Sequence, residues 1–274
     1  MMSPIELGVV AARKHAETAE VADVGRGTVN DDHAAVIHTE TLRNVKLNAA
    51  RLHENRIIVD AQGSPAGPAY KVLRTRLLQI MRTNRWSTLG VTSTAPSEGK
   101  TLTAINLALS FARDVNTTTL LVDFDLRRPS VAKYLGVLPE HNLVEALDGR
   151  VPLEQALVKP GLDRLGLLLN SSAVENSSEL LASPSVSKLV KRLRAGPERI
   201  VVFDLPPLLA GDDVLAFRPH VDALLLVLAE GITTREGLVA SKELIKDFNL
   251  VGTVLNRSVE NPTNHYYYYS YGSS

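Results

Sequence analysis

The 274-residue chain has no cysteine, a single tryptophan, three methionines and only 5% aromatic residues. The missing cysteine excludes a disulfide framework, a thiolate zinc site and a cysteine nucleophile. An excess of one charge is missing as well. Thirty Lys and Arg face thirty Asp and Glu, a formal net charge of zero, which argues against a nucleic-acid binder that works through bulk charge. No apolar run approaches the ~18 residues that a spanning helix needs. The first thirty residues carry acids and no compact apolar block, unlike a secretory signal, so a cytoplasmic protein is the expectation. What is present is an ordinary globular balance, 45% hydrophobic and 22% charged, enough for one large α/β domain or two small ones. Against this scarcity of aromatics, five of the seven tyrosines fall in the last nine residues: Tyr266, Tyr267, Tyr268, Tyr269 and Tyr271.

The chain divides into three stretches. Residues 1–65 read as a loosely patterned, partly disordered leader and linker, with a short helix over Val9–Val21, a weak helical period over Thr41–Asn55 and a turn cluster at Gln62–Pro68. Residues 66–259 alternate helix and strand. Helical spacing runs through Tyr70, Leu73, Leu77, Leu78 and Met81, then over 100–113, 142–148, 152–158, 178–182, 185–194 and 236–248. Strands are predicted at 89–94, 119–125, 165–169, 199–204, 223–228 and 251–255. Runs such as Ile200-Val-Val-Phe203 and Leu224-Leu-Leu-Val-Leu228 suit strands buried on both faces, and so a doubly wound, mostly parallel sheet. In such sheets ligands sit beyond the carboxyl ends of the strands. Residues 260–274 read as a flexible tail.

The informative residues lie at those strand ends. Thr94-Ala-Pro-Ser-Glu-Gly-Lys-Thr101 follows one strand and opens one helix. It is close to the phosphate-loop pattern G-x-x-x-x-G-K-[ST], with Thr94 in place of the first glycine. The loop Ser97–Leu102, with Glu98 and Gly99 within it, is the candidate nucleotide cradle. Gly99 admits phosphate oxygens close to the backbone, and the free N–H groups opening the helix point at the anion. Lys100, expected on a solvent-facing loop, supplies a cation, and the Thr101 hydroxyl is placed to ligate Mg²⁺. Two acidic strand ends accompany the loop: Val201-Val-Phe-Asp204 and Leu121-Val-Asp-Phe-Asp125. Asp123 and Asp125 alternate along an extended chain and so share a face. Carboxylates gathered in this way are stable mainly beside a divalent cation.

Taken together, the phosphate loop, Leu-Leu-Val-Asp-Phe-Asp-Leu-Arg-Arg-Pro129, Asn176-Ser-Ser-Glu-Leu-Leu-Ala-Ser-Pro184, Val-Val-Phe-Asp-Leu-Pro-Pro207 and the tyrosine cluster resemble the bacterial tyrosine kinases of capsule and exopolysaccharide loci. The resemblance covers about 69–274. It implies a P-loop fold, ATP and Mg²⁺ as cofactors, and autophosphorylation on the C-terminal tyrosines. It also implies a transmembrane activator or chain-length regulator, a cognate tyrosine phosphatase, a homo-oligomeric ring, and a location peripheral to the inner face of the plasma membrane through the partner. Residue by residue, Lys100, Asp123, Asp125 and Asp204 match the catalytic positions. Thr101, Asp123 and Asp204 match the metal positions, with Asp125 nearest the acceptor hydroxyl. Arg127 matches an arginine of the second Walker motif and Asn256 a position expected to read adenine. The family's interface pattern Glu-x-x-Arg-x-x-Arg falls on Pro68, Lys71 and Arg74, where the acid is absent and one arginine is lysine, which does not form the same bidentate pair. The loop's usual glycine before Glu98 is Ser97.

The tyrosine run lacks a core-type period and apolar flanks, so it fits a multiply substituted phosphoacceptor tail. Two other readings compete. A nucleotide-switch ATPase of the chromosome-partitioning type would usually carry a second lysine where Ala95 stands, and it would lack the tail. An ATP-binding scaffold of the export machine need not retain the acidic residues, which are all present.

Overall fold

The computed structural model describes residues 36–59 and 64–258. The helix expected over 9–21 and the tail 260–274 with its five tyrosines lie outside the described residues. In chain order the strands are β1 (Arg43–Asn44), β2 (Thr88–Ser93), β3 (Thr118–Asp123), β4 (Leu157–Lys159), β5 (Leu165–Leu168), β6 (Arg199–Asp204), β7 (Ala223–Ala229) and β8 (Leu250–Asn256). They form one sheet in the order β1-β4-β5-β3-β6-β2-β7-β8. Every pairing is parallel except β4 with β5. The helices are α1 (Ala49–Glu54), α2 (Gly67–Asn84), α3 (Lys100–Phe111), α4 (Val131–Leu135), α5 (Leu143–Leu147), α6 (Leu153–Ala156), α7 (Ser177–Leu181), α8 (Pro184–Arg194), α9 (Asp213–Phe217) and α10 (Arg235–Leu244).

The sheet is buried on both faces, as its continuous apolar strands require. Every residue of β2 and of β6 is buried. On one face, Leu73, Leu77 and Met81 of α2 and Ile105 and Phe111 of α3 pack against Leu89, Val91 and Val202. On the other, Val186, Leu189 and Leu193 of α8 pack with Leu120, Val122 and Val201. Three of the five phenylalanines meet in this second core. Phe124, Phe203 and Phe217 have ring centroids 4.6–5.5 Å apart. Phe124 and Phe203 each precede an acid (Asp125, Asp204) at a strand end. These three rings pack together next to the acidic strand ends, and their edge-to-face and tilted contacts help to hold the two ends in place.

Several elements differ from the sequence expectation. The helix predicted over 152–158 ends at Ala156, and 157–159 turn into β4, a three-residue strand too short to show a period. Helices α4 and α9, five residues each, are not among the elements expected from the sequence. The largest difference lies in 36–59. This stretch, read as leader, is built into the domain by β1, by α1 and by buried Ile37, Leu42, Leu52, Ile57 and Ile58. Asn106 of α3 fastens it, accepting from Ile58 N–H at 2.8 Å and donating to the Arg56 carbonyl at 3.2 Å. The Arg113 guanidinium donates to the Ile58 carbonyl. Among the described residues no helix is long and apolar enough to cross a membrane.

Candidate active site

Strands β2, β3 and β6 are neighbours in the sheet, so their carboxyl ends bring the phosphate loop and the acidic residues together. Asp123 and Asp204 are register partners across β3 and β6. Both are fully buried, and Asp125 is 4% exposed. Lys100 is 8% exposed. Its expected place on a solvent-facing loop is thus corrected, because opening α3 beside two acidic strands draws the ammonium into the carboxylates. Nζ lies 2.8 Å from Asp125 Oδ2 and 3.1 Å from Asp204 Oδ1, and donates to Thr101 Oγ1 at 3.2 Å. Thr101 Oγ1 donates to Asp204 Oδ2 at 2.7 Å and lies 3.1 Å from Ser130 Oγ. Asp123 Oδ2 accepts from Ser130 N–H and Val131 N–H at 2.9 Å each, at the start of α4. Its other oxygen, Oδ1, is buried without a partner.

Burial, reinforced by the neighbouring Asp204, pushes the Asp123 carboxyl well above the usual carboxylate range. Burial also raises Asp204, against the opposing pull of Lys100. Desolvation alone would lower the Lys100 ammonium, but Asp204 and Asp125 outweigh it and hold the pKa above the ordinary value. Three buried carboxylates against one ammonium leave a local excess of negative charge in low dielectric. An orphaned buried carboxylate oxygen beside a threonine hydroxyl is a donor set that fits a hard divalent cation such as Mg²⁺.

The loop itself is shaped by two left-handed residues. Gly99 has φ +96°, and a Cβ there would stand 1.9 Å from Asn256 Nδ2, so both conformation and space demand glycine. Ser97 adopts φ +67°, the conformation for which the family's usual glycine is suited. Asn256, expected to read adenine, is placed against this loop at the end of β8. Its Nδ2 donates to the Glu98 carbonyl at 2.9 Å, and its Oδ1 accepts from Arg257 N–H at 2.9 Å. Both ends of the amide are thereby engaged by backbone. Arg257 adds a bond to the Ser97 carbonyl at 2.9 Å. Leu102 turns its side chain onto the core beside α3.

Arg127 is not drawn into the lysine–carboxylate cluster. Its Nε lies 2.7 Å from Asp213 Oδ2 and donates to Ser177 Oγ at 2.9 Å, while Ser177 Oγ donates to Asp213 Oδ1. Asp213 is 2% exposed. Neither Ser177 nor Asp213 was singled out from the sequence. A short-range clue existed for each, since both stand in the first turn of a helix, where an acid or hydroxyl is commonplace and so uninformative. On α2, Pro68 occupies the first turn, where its missing N–H costs nothing. Arg74 donates to the Ser110 carbonyl at 3.2 Å.

No family model matches the chain. Individual proteins do. It is 29% identical over 226 residues to the tyrosine-protein kinase YwqD of Bacillus subtilis, covering 82% of this chain and 94% of the relative. It is 32% identical over 175 residues to the tyrosine-protein kinase CpsD of Streptococcus pneumoniae, covering 62% of this chain and 75% of the relative. The succinoglycan biosynthesis transport protein ExoP of Rhizobium meliloti is 29% identical over 77% of this chain, which spans only 27% of that longer protein. The solved kinase domain of the Escherichia coli tyrosine kinase ETK superposes with a TM-score of 0.70 at 27% identity, over 84% of this chain and 88% of that one. With a phosphate loop leading into a buried lysine beside three strand-end carboxylates, and with these relatives, the chain belongs to the bacterial tyrosine-protein kinases, a family tied to exopolysaccharide synthesis and transport.

Proposed function

We propose that this kinase uses Mg²⁺ and ATP to phosphorylate its own C-terminal cluster, Tyr266–Tyr269 and Tyr271, one subunit acting on the tail of another. The reading is carried by one observation above the rest: Lys100 bonds Asp125, Asp204 and Thr101, and Thr101 bonds Asp204, where the phosphate loop turns through left-handed Gly99 into α3. Lys100 swings from its carboxylate partners onto the phosphates as they arrive. The N–H groups of Gly99, Lys100 and Thr101 bind phosphate oxygens at the positive end of α3. Thr101, Asp123 and Asp204 would hold Mg²⁺, which would supply charge neutralisation on the phosphates. Asp125, freed from Lys100, accepts a hydrogen bond from the acceptor tyrosine hydroxyl and orients its oxygen toward the γ-phosphorus. A carboxylate is a weak base for a phenol, and phosphoryl transfer rests on positioning and electrostatics. The new P–O bond forms on tyrosine as the bond to ADP breaks, and the phenolic proton leaves through Asp125 to solvent.

Transfer between subunits is supported by Asn261-Pro262, where the proline disfavours a helical turn at the residue before it. Each phosphotyrosine adds about −1.5 to −2 charge, so full modification repels neighbouring subunits and loosens the assembly, and a cognate phosphatase resets it. A transmembrane activator with a cytoplasmic tail brings subunits together at the inner membrane face. Regulation of polysaccharide export follows from that cycle of assembly and release.

The test mixes two defective chains with the activator: Lys100→Met with its tail intact, and a Lys100-competent chain truncated after Glu260. Labelled ATP followed by alkali-stable phosphotyrosine analysis should find label on the Lys100→Met chain. Label on wild type alone would point to transfer within one subunit. ATP turnover without phosphotyrosine in any mixture would favour the switch-ATPase reading.

A further inference from the structure

Glu98 is fully buried, yet the nearest groups to its carboxylate are four neutral donors. Oε2 accepts from Thr94 N–H at 2.7 Å and Ala95 N–H at 3.1 Å. Oε1 accepts from Thr94 Oγ1 and Thr233 Oγ1, at 2.6 Å each. Thr233 Oγ1 in turn accepts from Ala229 N–H at 2.8 Å, at the end of β7. The side chain therefore does not face a nucleotide. It turns back beneath its own loop, joining the loop's first two residues, its penultimate residue and the turn between β7 and α10. A buried carboxylate without a cation is costly unless its lone pairs are filled, and here all four donors converge on it.

We infer that Glu98 and Thr233 are positioning residues for the nucleotide, a latch that fixes the phosphate loop in its open, phosphate-accepting shape. This deepens the ATP-site reading above and rests on it. The latch accounts for two features of the chain. Thr94 stands where phosphate loops usually have glycine, and its hydroxyl is a ligand of Glu98, so the larger residue is put to use. Ser97 is held at φ +67°, a conformation costing about 1–2 kcal/mol in a non-glycine residue, by two anchors: the side chain of the next residue, Glu98, and its own carbonyl, which accepts from Arg257. Opening the latch lets Ser97 relax and closes the cradle. Because Thr233 sits one residue before Thr234, whose Oγ1 accepts from Gly237 N–H at 3.0 Å to cap α10, the shape of the loop is tied to the position of that helix.

Equilibrium binding of a fluorescent ATP analogue with Mg²⁺ tests the latch. Thr233→Val removes the hydroxyl at constant shape and should weaken binding about tenfold, the equivalent of ~1.4 kcal/mol. KM for ATP should rise by the same factor, with kcat falling far less. Thr233→Ser should restore both. Amide hydrogen exchange over 94–98 should quicken in the valine variant and return to the wild-type rate in the serine variant. Wild-type affinity in Thr233→Val, beside weakened binding in Lys100→Met, would overturn the latch and spare the ATP site. Undiminished binding in Lys100→Met would overturn both. Should Thr233→Val unfold, Glu98→Gln serves in its place: its amide oxygen can still accept from Thr94 N–H and Ala95 N–H, but its NH₂ leaves the Thr94 and Thr233 hydroxyl protons without their acceptor, and an affinity equal to wild type there would equally refute the latch.

Discussion

Replacing Asp123 by asparagine should stabilise the metal-free protein and abolish its kinase activity. Asp123 and Asp204 are register partners on adjacent parallel strands and are both fully buried. Adjacent strands lie about 4.8 Å apart. At an effective dielectric constant of about 20, two unit charges at about 5 Å repel by roughly 3 kcal/mol. Lys100 relieves part of this, but its ammonium is bonded to Asp125 and Asp204. Asparagine keeps the acceptor for Ser130 N–H and Val131 N–H and puts a donor where Oδ1 is orphaned. A net gain of about 1–3 kcal/mol is expected, or ~2–10 °C in melting temperature for a domain of this size. The pH dependence follows from the raised native pKa of Asp123. The native state binds more protons than the unfolded chain between the ordinary carboxylate value and that raised pKa, so wild-type stability falls as pH rises through this window. The asparagine variant escapes that loss. Its advantage should therefore be full above the raised pKa and vanish at acid pH, where wild-type Asp123 is already protonated. Thermal melts in EDTA across pH, paired with phosphotyrosine assays, measure both halves. A lower melting temperature for Asp123→Asn at neutral pH would refute the electrostatic reading of the cluster, and retained kinase activity would refute its placement in the metal site.

Gly99→Ala should destabilise the domain by roughly 1–3 kcal/mol, from a left-handed φ and a Cβ 1.9 Å from Asn256 Nδ2, and should lose nucleotide binding by calorimetry. Asn106→Ala orphans the buried Ile58 N–H and should cost about 1–3 kcal/mol in urea melts, with proteolysis near 56–59 as its local sign. Arg127→Lys should loosen α9 without restoring the bond network, because an ammonium does not reproduce the guanidinium's contacts with Asp213 and Ser177. Hydrogen exchange over 208–217 should then rise in the lysine and alanine variants alike.

The central sheet was legible because its signals are dense. Strand β6 is predicted at its observed bounds by an apolar run ending in an acid, and β2, β3, β5, β7 and β8 lie within one or two residues of expectation. The phosphate loop was legible because Gly99, Lys100 and Thr101 have few interchangeable substitutes. What escaped was either too short or too non-local. Strands β1 and β4 have two and three residues, fewer than one alternation needs to declare itself. The stretch 36–59 carries little amphipathic period because its buried side chains, Ile37, Leu42, Leu52, Ile57 and Ile58, are unevenly spaced, and its remaining anchors are backbone groups bonded by Asn106 and Arg113, far along the chain. The burial of Lys100 was invisible for the same reason: the carboxylates that draw it in come from two other strands. Glu98 matched a motif position, but nothing local announces that its partner is Thr233.

The end of β8 is bonded directly to the phosphate loop. Asn256 and Arg257 grip the carbonyls of Glu98 and Ser97, and the chain then runs on toward the tyrosines. A displacement of Asn256 and Arg257 is thus delivered to the phosphate loop as a pull on two of its carbonyls. Reciprocity of linkage makes the effect two-way. By whatever factor a shift of the β8 end alters the affinity of the loop for phosphate, bound phosphate alters the equilibrium of that shift.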